Sequence, residues 1–261
     1  MLESMVEQDL ENEVRKFPKC SKLLKMLTTD REITSLLDAG NRISISRMGF
    51  NDHGKVHSKI VSLNSLRIYS LLEKKGIQGN IIKEEIGDRE DVRLVLLLGA
   101  FLHDVGMCIS RESHDLLGVI VGRHIIFRLL DEIYEKDIEK ISFLESVVME
   151  EILCHLGAYK ATSVEAKVVA TSDGTDMTKG RARIPSKIAH PDIHQFSALA
   201  VEKVSILPGK KKPVRIFIEM NDTAGIFQVE HQLLQKINDV GAQEFVEILV
   251  KLQDGREVSY L

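Results

Sequence analysis

The stretch Leu94-Val95-Leu96-Leu97-Leu98-Gly99-Ala100-Phe101-Leu102-His103-Asp104-Val105-Gly106 decides how the rest of the chain is read. The apolar run Leu94 to Leu102 is less than half of the roughly 20 residues that a membrane span needs. It reads instead as a strongly apolar helix from Asp91 to His103, ending on an imidazole and a carboxylate side by side. Burying two ionisable groups there is costly unless a metal or a partner satisfies them. Neutral imidazole and carboxylate are natural ligands for a first-row divalent metal.

Helical patterning extends on both sides of this stretch. Upstream, His57 opens a mostly buried helix carrying Ile60, Val61, Leu63, Leu66, Ile68, Leu71 and Leu72, closed by Gly76 and Gly79. Downstream, helices are predicted from about Ser113 to Tyr134 and from Ile141 to Leu156. The next begins at Thr162, where Thr162-x-x-Glu165 has the form of a capping box, and ends near Asp173-Gly174. Residues 1 to about 40 are also read as helical, interrupted by Pro18 and ended by Gly40. Asn41 to Gly54, with Ile43 and Ile45 alternating, is read as a strand or loop.

After Pro191 the texture changes. Ala198 to Leu207 and Val214 to Met220 read as strands around a turn with a basic tip, Pro208-Gly209-Lys210-Lys211-Lys212. Phe227 to Val240 reads as a helix and Phe245 to Leu252 as another strand. The expected fold is mainly α: an N-terminal helical segment (1–40), an all-helical domain (41–195) and a small C-terminal α+β subdomain (196–261).

Composition narrows the class. With 261 residues, 44% hydrophobic and 28% charged, the chain can bury a core and is neither disordered nor built as a membrane protein. A net charge of -4 leaves no global footprint for nucleic acid. Cys20, Cys108 and Cys154 are scattered, which fits a reducing compartment, and the charged N-terminus lacks the apolar core of a signal peptide. A cytoplasmic location is expected.

Six histidines, His53, His57, His103, His114, His124 and His155, lie in the helical stretch. A single histidine at a helix end is more often capped or solvated than ligating, so the joint pattern carries the reading. His57-Ser58 opens a helix, then come Leu102-His103-Asp104-Val105-Gly106, Ser113-His114-Asp115-Leu116-Leu117-Gly118, Cys154-His155-Leu156-Gly157 and Asp173 at a helix end. This order resembles the HD superfamily of metal-dependent phosphohydrolases. The resemblance implies that His57, His103, Asp104 and Asp173 hold a first metal. Asp104 would bridge to a second, completed by His114 and His155, with His103 and Asp104 as the catalytic pair.

The implied cofactors are two divalent transition-metal ions, Mn or Fe first, with Co, Ni or Zn as alternatives, because mixed nitrogen and oxygen ligation disfavours Mg. The implied reaction is hydrolysis of a phosphate ester by a water bridged between the metals. The segment from Ala161-Thr162-Ser163-Val164-Glu165-Ala166 to Lys179-Gly180-Arg181-Ala182-Arg183 resembles the HD domain of ribonuclease Y, and so does Ala200-Val201-Glu202-Lys203-Val204. That resemblance makes Lys179, Arg181 and Arg183 candidates for substrate phosphate, or a solvated basic loop. His53, four residues before His57, is a candidate substrate contact or a solvent-facing residue.

The membrane anchor and RNA-binding module of ribonuclease Y are not visible in this sequence. The position after HD-x-G, where the family often has lysine, is Met107. The expected partner is a small phosphate compound, a nucleotide in the first instance. RNA hydrolysis and a non-catalytic regulatory module that binds metal and nucleotide are the alternatives. Membrane association is not expected, and a homo-oligomer is left open.

Overall fold

A computed structural model of the protein describes residues 2–49, 52–179 and 193–261. It opens with α1 (Leu2–Val14), α2 (Pro18–Thr29) and α3 (Arg31–Asn41). Pro18 occupies the first turn of α2, where its missing N–H is no loss, so it starts a helix rather than interrupting one. Asp30 caps α3 by accepting from the N–H groups of Glu32 and Ile33.

Of the strand or loop expected over Asn41 to Gly54, no strand is found among the described residues, and only the part after Arg47 is loop. The chain runs from α3 straight into a π-helical segment, Arg42–Arg47. Gly40 does not stop the helix, because its role is close approach: a Cβ there would lie 3.0 Å from Cβ of Met107. The Ile43/Ile45 alternation that mimicked a strand therefore sits on a helical turn.

The bundle is completed by α4 (Lys55–Lys74), a single turn α5 (Asn80–Lys83), α6 (Arg89–Leu102), α7 (His114–Tyr134), α8 (Ile138–Cys154) and α9 (Val164–Thr175). Every residue of α6 from Asp91 to Leu102 is buried, as its unbroken apolar run requires. Asp88 and Asp91 close its N-terminus as a capping box. Asp91 then accepts from Lys19, Lys140 and the Tyr134 hydroxyl, tying α2, α7 and α8 to the central helix.

The cap of α9 differs from expectation. Ser163, not Thr162, is the N-cap and accepts from the Ala166 N–H. The Thr162 hydroxyl donates to Glu150, and Glu165 accepts from the N–H groups of Asn80 and Ile81. Glu165 is thus used on α5, whose own exposed donors outbid the local box.

The C-terminal part begins with α10 (Ile193–Ala200) and β1 (Val201–Pro208), so the first strand starts three residues later than the sequence implied. β2 (Val214–Met220) follows, then a helical run of α11 (Ile226–Gln228), a π segment (Val229–Leu234) and α12 (Gln235–Asp239). β3 (Val246–Lys251) and β4 (Glu257–Tyr260) complete a sheet ordered β1-β2-β3-β4. β1 with β2 and β3 with β4 are antiparallel; β2 and β3 are parallel across the helical crossover.

The basic turn between β1 and β2 wraps around Glu247, whose carboxylate accepts from the N–H groups of Lys210, Lys211 and Lys212 and from Arg215. Val229, Leu233 and Ile237 of the crossover, together with the buried face of β2, belong to the same continuous hydrophobic cluster as α2, α4, α6, α7, α8 and α9. The fold is mainly α with a small C-terminal sheet region, as expected. No helix among the described residues is long and apolar enough to cross a membrane.

Candidate metal centre

Five helix ends meet at one place. His57 lies in the first turn of α4, His103 caps the C-terminus of α6, Asp104 follows it, His114 starts α7, His155 caps α8, and Asp173 sits in the last turn of α9. All six are buried. The tight turn after Asp104 depends on Gly106, where a Cβ would stand 2.1 Å from the His114 carbonyl oxygen and 2.4 Å from the Gly118 nitrogen. That contact brings the start of α7, with His114, against the end of α6.

The imidazoles are oriented by their second nitrogens. Nδ1 of His103 donates to the Ala100 carbonyl at 2.7 Å, Nδ1 of His114 to Arg111 at 2.7 Å, and Nδ1 of His155 to Ile152 at 2.6 Å. Nδ1 of His57 donates to Asp176 Oδ2 at 2.7 Å. With these Nδ1–H bonds assigned, each ring turns its Nε2 inward, the arrangement that fixes a metal-ligating histidine.

Asp104 stands between two imidazole pairs. Its Oδ2 lies 3.4 Å from His57 Nε2 and 3.3 Å from His103 Nε2. Its Oδ1 lies 3.1 Å from His114 Nε2 and 3.6 Å from His155 Nε2. Asp173 Oδ1 joins the first pair, 3.1 Å from His57 Nε2 and 3.7 Å from His103 Nε2. His57, His103 and Asp173 form one group that could hold a metal ion, and His103, Asp104 and His155 form another.

A cation fits this cluster on two further grounds. Nε2 atoms face each other at 3.0 Å (His57 and His103) and 3.2 Å (His114 and His155), lone pair against lone pair unless a proton or metal lies between. Asp104 Oδ2 is fully buried and accepts no well-formed hydrogen bond among the described residues, an expensive state for a carboxylate oxygen. Burial alone would push the Asp104 carboxyl up, yet the imidazoles, His103 foremost, hold it well below its ordinary value. Asp173 is likewise held low against its burial, by Lys236 and then His103 and His57. Burial drives His155 the other way, down to about 4, so this ring is a neutral donor of its lone pair.

The remaining candidates are spread more widely. His53 is near the cluster, its ring 5.8 Å from that of His57 and its Nδ1 2.9 Å from the Ser44 hydroxyl. It does not lie one helical turn before His57, because α4 starts only at Lys55 and His53 precedes the extended Gly54. Lys179 is paired with Glu202 of β1. Arg181 and Arg183 lie outside the described residues. His124 is exposed and bonds Glu32 at 2.8 Å, away from the cluster. Met107 is fully buried against Gly40.

Two residues of the centre were not singled out from sequence. Asp176 follows Asp173 by three residues, the spacing that could have flagged it. Lys236, whose ammonium contacts Asp173 Oδ2, comes from α12 and had no local signal.

Comparison with known proteins agrees with this geometry. A family model for the HD domain matches residues 64–178, a span that includes every cluster residue named above except His57 and Lys236. An uncharacterized protein of Methanocaldococcus jannaschii is 35% identical over 232 residues, 89% of this chain and 89% of the relative. No solved structure matches. Neither match singles out ribonuclease Y. With the family's buried His-Asp cluster on five helix ends and a matching relative along most of its length, this chain belongs to the HD family, whose members are in general metal-dependent phosphohydrolases.

Proposed function

We propose that this protein hydrolyses a phosphate ester of a nucleotide or related small compound, using a binuclear centre held by His57, His103, Asp104, His114, His155 and Asp173. The observation that supports it most is Asp104, with one oxygen toward His57 and His103 and the other toward His114 and His155. A one-metal site has no use for the second pair. When bound, two divalent ions would lower the pKa of a water and neutralise charge growing on phosphoryl oxygens.

The chain's own contribution is pre-organisation. Backbone carbonyls of Ala100, Arg111 and Ile152 and the Asp176 carboxylate hold the four Nδ1 protons, so each Nε2 is presented as a lone pair. Burial keeps bulk water from the ligands and strengthens each electrostatic interaction. His53 flanks the first pair and is the substrate contact we propose on this side, with Lys179, Arg181 and Arg183 as further phosphate contacts. The nitrogen-rich donor set favours Mn or Fe.

The test is phosphate and nucleoside release by Mn-loaded protein from a panel of nucleoside mono-, di- and triphosphates, cyclic nucleotides and short RNA. The reading predicts turnover of a small nucleotide that His103→Ala and Asp104→Ala abolish. Stoichiometric metal with no hydrolysis of any member would instead favour a binding module. Cleavage of RNA alone would favour a ribonuclease.

A further inference from the structure

The carboxylate of Asp173 is divided between two tasks. Oδ1 faces the Nε2 atoms of His57 and His103, while Oδ2 is in contact with the Lys236 ammonium. Lys236 therefore stands one carboxylate away from the space between the imidazoles. It reaches there because Gly174 lets the crossover helix approach α9: a Cβ on Gly174 would lie 3.0 Å from Leu233 Cδ1. The π segment Val229–Leu234 ends two residues before Lys236, and such a bulge shifts the register of the side chains that follow it.

Three observations give this lysine more than a structural role. An ammonium has three protons to donate, and among the described residues Lys236 uses one partner, Asp173. Its side chain retains 13% exposure, so it is seated in the wall of the centre with an opening to solvent. The ion pairs of Asp104 and Asp173 among the described residues run to histidines and to Lys236 alone. The turn after Asp104 supplies no cation, since Val105, Gly106, Met107 and Cys108 are uncharged and Met107 is fully buried.

We infer that Lys236 is a binding cation for the substrate's phosphate, delivered to the metal centre by the C-terminal α+β region and additional to the contacts proposed at Lys179, Arg181 and Arg183. This rests on the metal-centre reading above. If Asp173 helps hold a divalent ion, its charge would be shared, and the remaining ammonium protons of Lys236 would serve phosphoryl oxygens through charge-assisted bonds. The site is then assembled from two parts of the chain: the helical bundle holds the metals and the crossover helix holds the anion.

The experiment uses the full chain loaded with Mn2+ and inorganic phosphate as the probe, in wild type, Lys236→Met and Lys236→Arg. Metal content is read by elemental analysis and phosphate affinity by calorimetry. The inference predicts unchanged metal content and phosphate binding weakened about tenfold or more in Lys236→Met, with most of it restored in Lys236→Arg. On a turned-over substrate KM should rise more than kcat falls.

In the wild type, phosphate should also slow acetylation of Lys236 but not of exposed Lys203, a readout that needs no variant to fold. Phosphate affinity within about twofold of wild type in metal-loaded Lys236→Met, absence of protection in the wild type, or loss of metal in that variant would each overturn the inference. A wild type that takes up no metal would instead overturn the metal-centre reading, and the inference with it.

Discussion

Asp176 stands behind the proposed metal ligands and orients one of them. Its carboxylate takes the Nδ1 proton of His57 at 2.7 Å and so points Nε2 at Asp104 and Asp173. Asp176→Ala should weaken Mn2+ binding about 10–100-fold. Asp176→Asn should cost less, since the amide oxygen still accepts that proton. Equal affinity in wild type and Asp176→Ala, measured by competition with a chelator, would remove Asp176 from the centre.

At this scale the sequence was informative where chemistry is written locally. His103-Asp104 ends an apolar helix, and an ionisable pair there demands an explanation. His57, His114, His155 and Asp173 were legible through their order and the family resemblance. Lys236 was not, because it lies 63 residues from Asp173 and only the packing of α12 on α9 brings them together. His124, another of the six histidines in the helical stretch, lies exposed and faces Glu32 away from the cluster.

Packing between elements carries its own tests. Gly106 admits no side chain, since its Cβ would strike backbone of His114 and Gly118. Gly106→Ala should lose about 1–3 kcal/mol of stability through overpacking and separate His114 from Asp104. Thermal unfolding together with metal content would read both. A fully stable variant with wild-type metal content would contradict the turn's role.

Between α6 and α8, Glu151 is completely buried with neither oxygen hydrogen-bonded among the described residues, in a space left by Gly99. Burial first, then the charges of Glu165 and Glu150, raise its carboxyl well above its ordinary 4.5. Above that pH the unfolded chain releases the proton while the folded chain keeps it, so folding stability falls as pH rises toward the folded-state value. Glu151→Gln does not titrate. Its unfolding free energy relative to wild type should therefore improve steadily from about pH 4.5 upward. A difference that stays flat with pH would show that Glu151 is not held protonated.

Element type was well signalled wherever apolar periodicity ran long, as in α4, α6, α7 and α8. It failed where tertiary contact overrode a local cue. Gly40 resembled a stop but serves the approach of Met107, and Glu165 resembled half of a capping box but caps α5. β4 does alternate, Glu257-Val258-Ser259-Tyr260, but four residues are too short a run to mark a strand.

For the whole molecule, one hydrophobic cluster joins the helical bundle to the C-terminal sheet region. The division into segments at 1–40, 41–195 and 196–261 remains a proposal about the chain's organisation. The shared core and the reach of Lys236 to Asp173 both argue that the last part works with the bundle rather than beside it. This arrangement was beyond sequence reading, which saw the texture change after Pro191 but could not dock one part on the other.

We propose a two-metal centre in which Asp104 would be shared by both ions. Elemental analysis of protein expressed in Mn- and Fe-supplemented medium, wild type beside Asp104→Asn, tests it most directly. The wild type should hold about two equivalents of metal per chain. Asp104→Asn should lose both, its metal affinity falling by more than the roughly 10–100-fold expected for a partner of a ligand. A wild type with no metal, and no uptake when titrated, would contradict the centre. A variant retaining the full wild-type content would contradict the bridge.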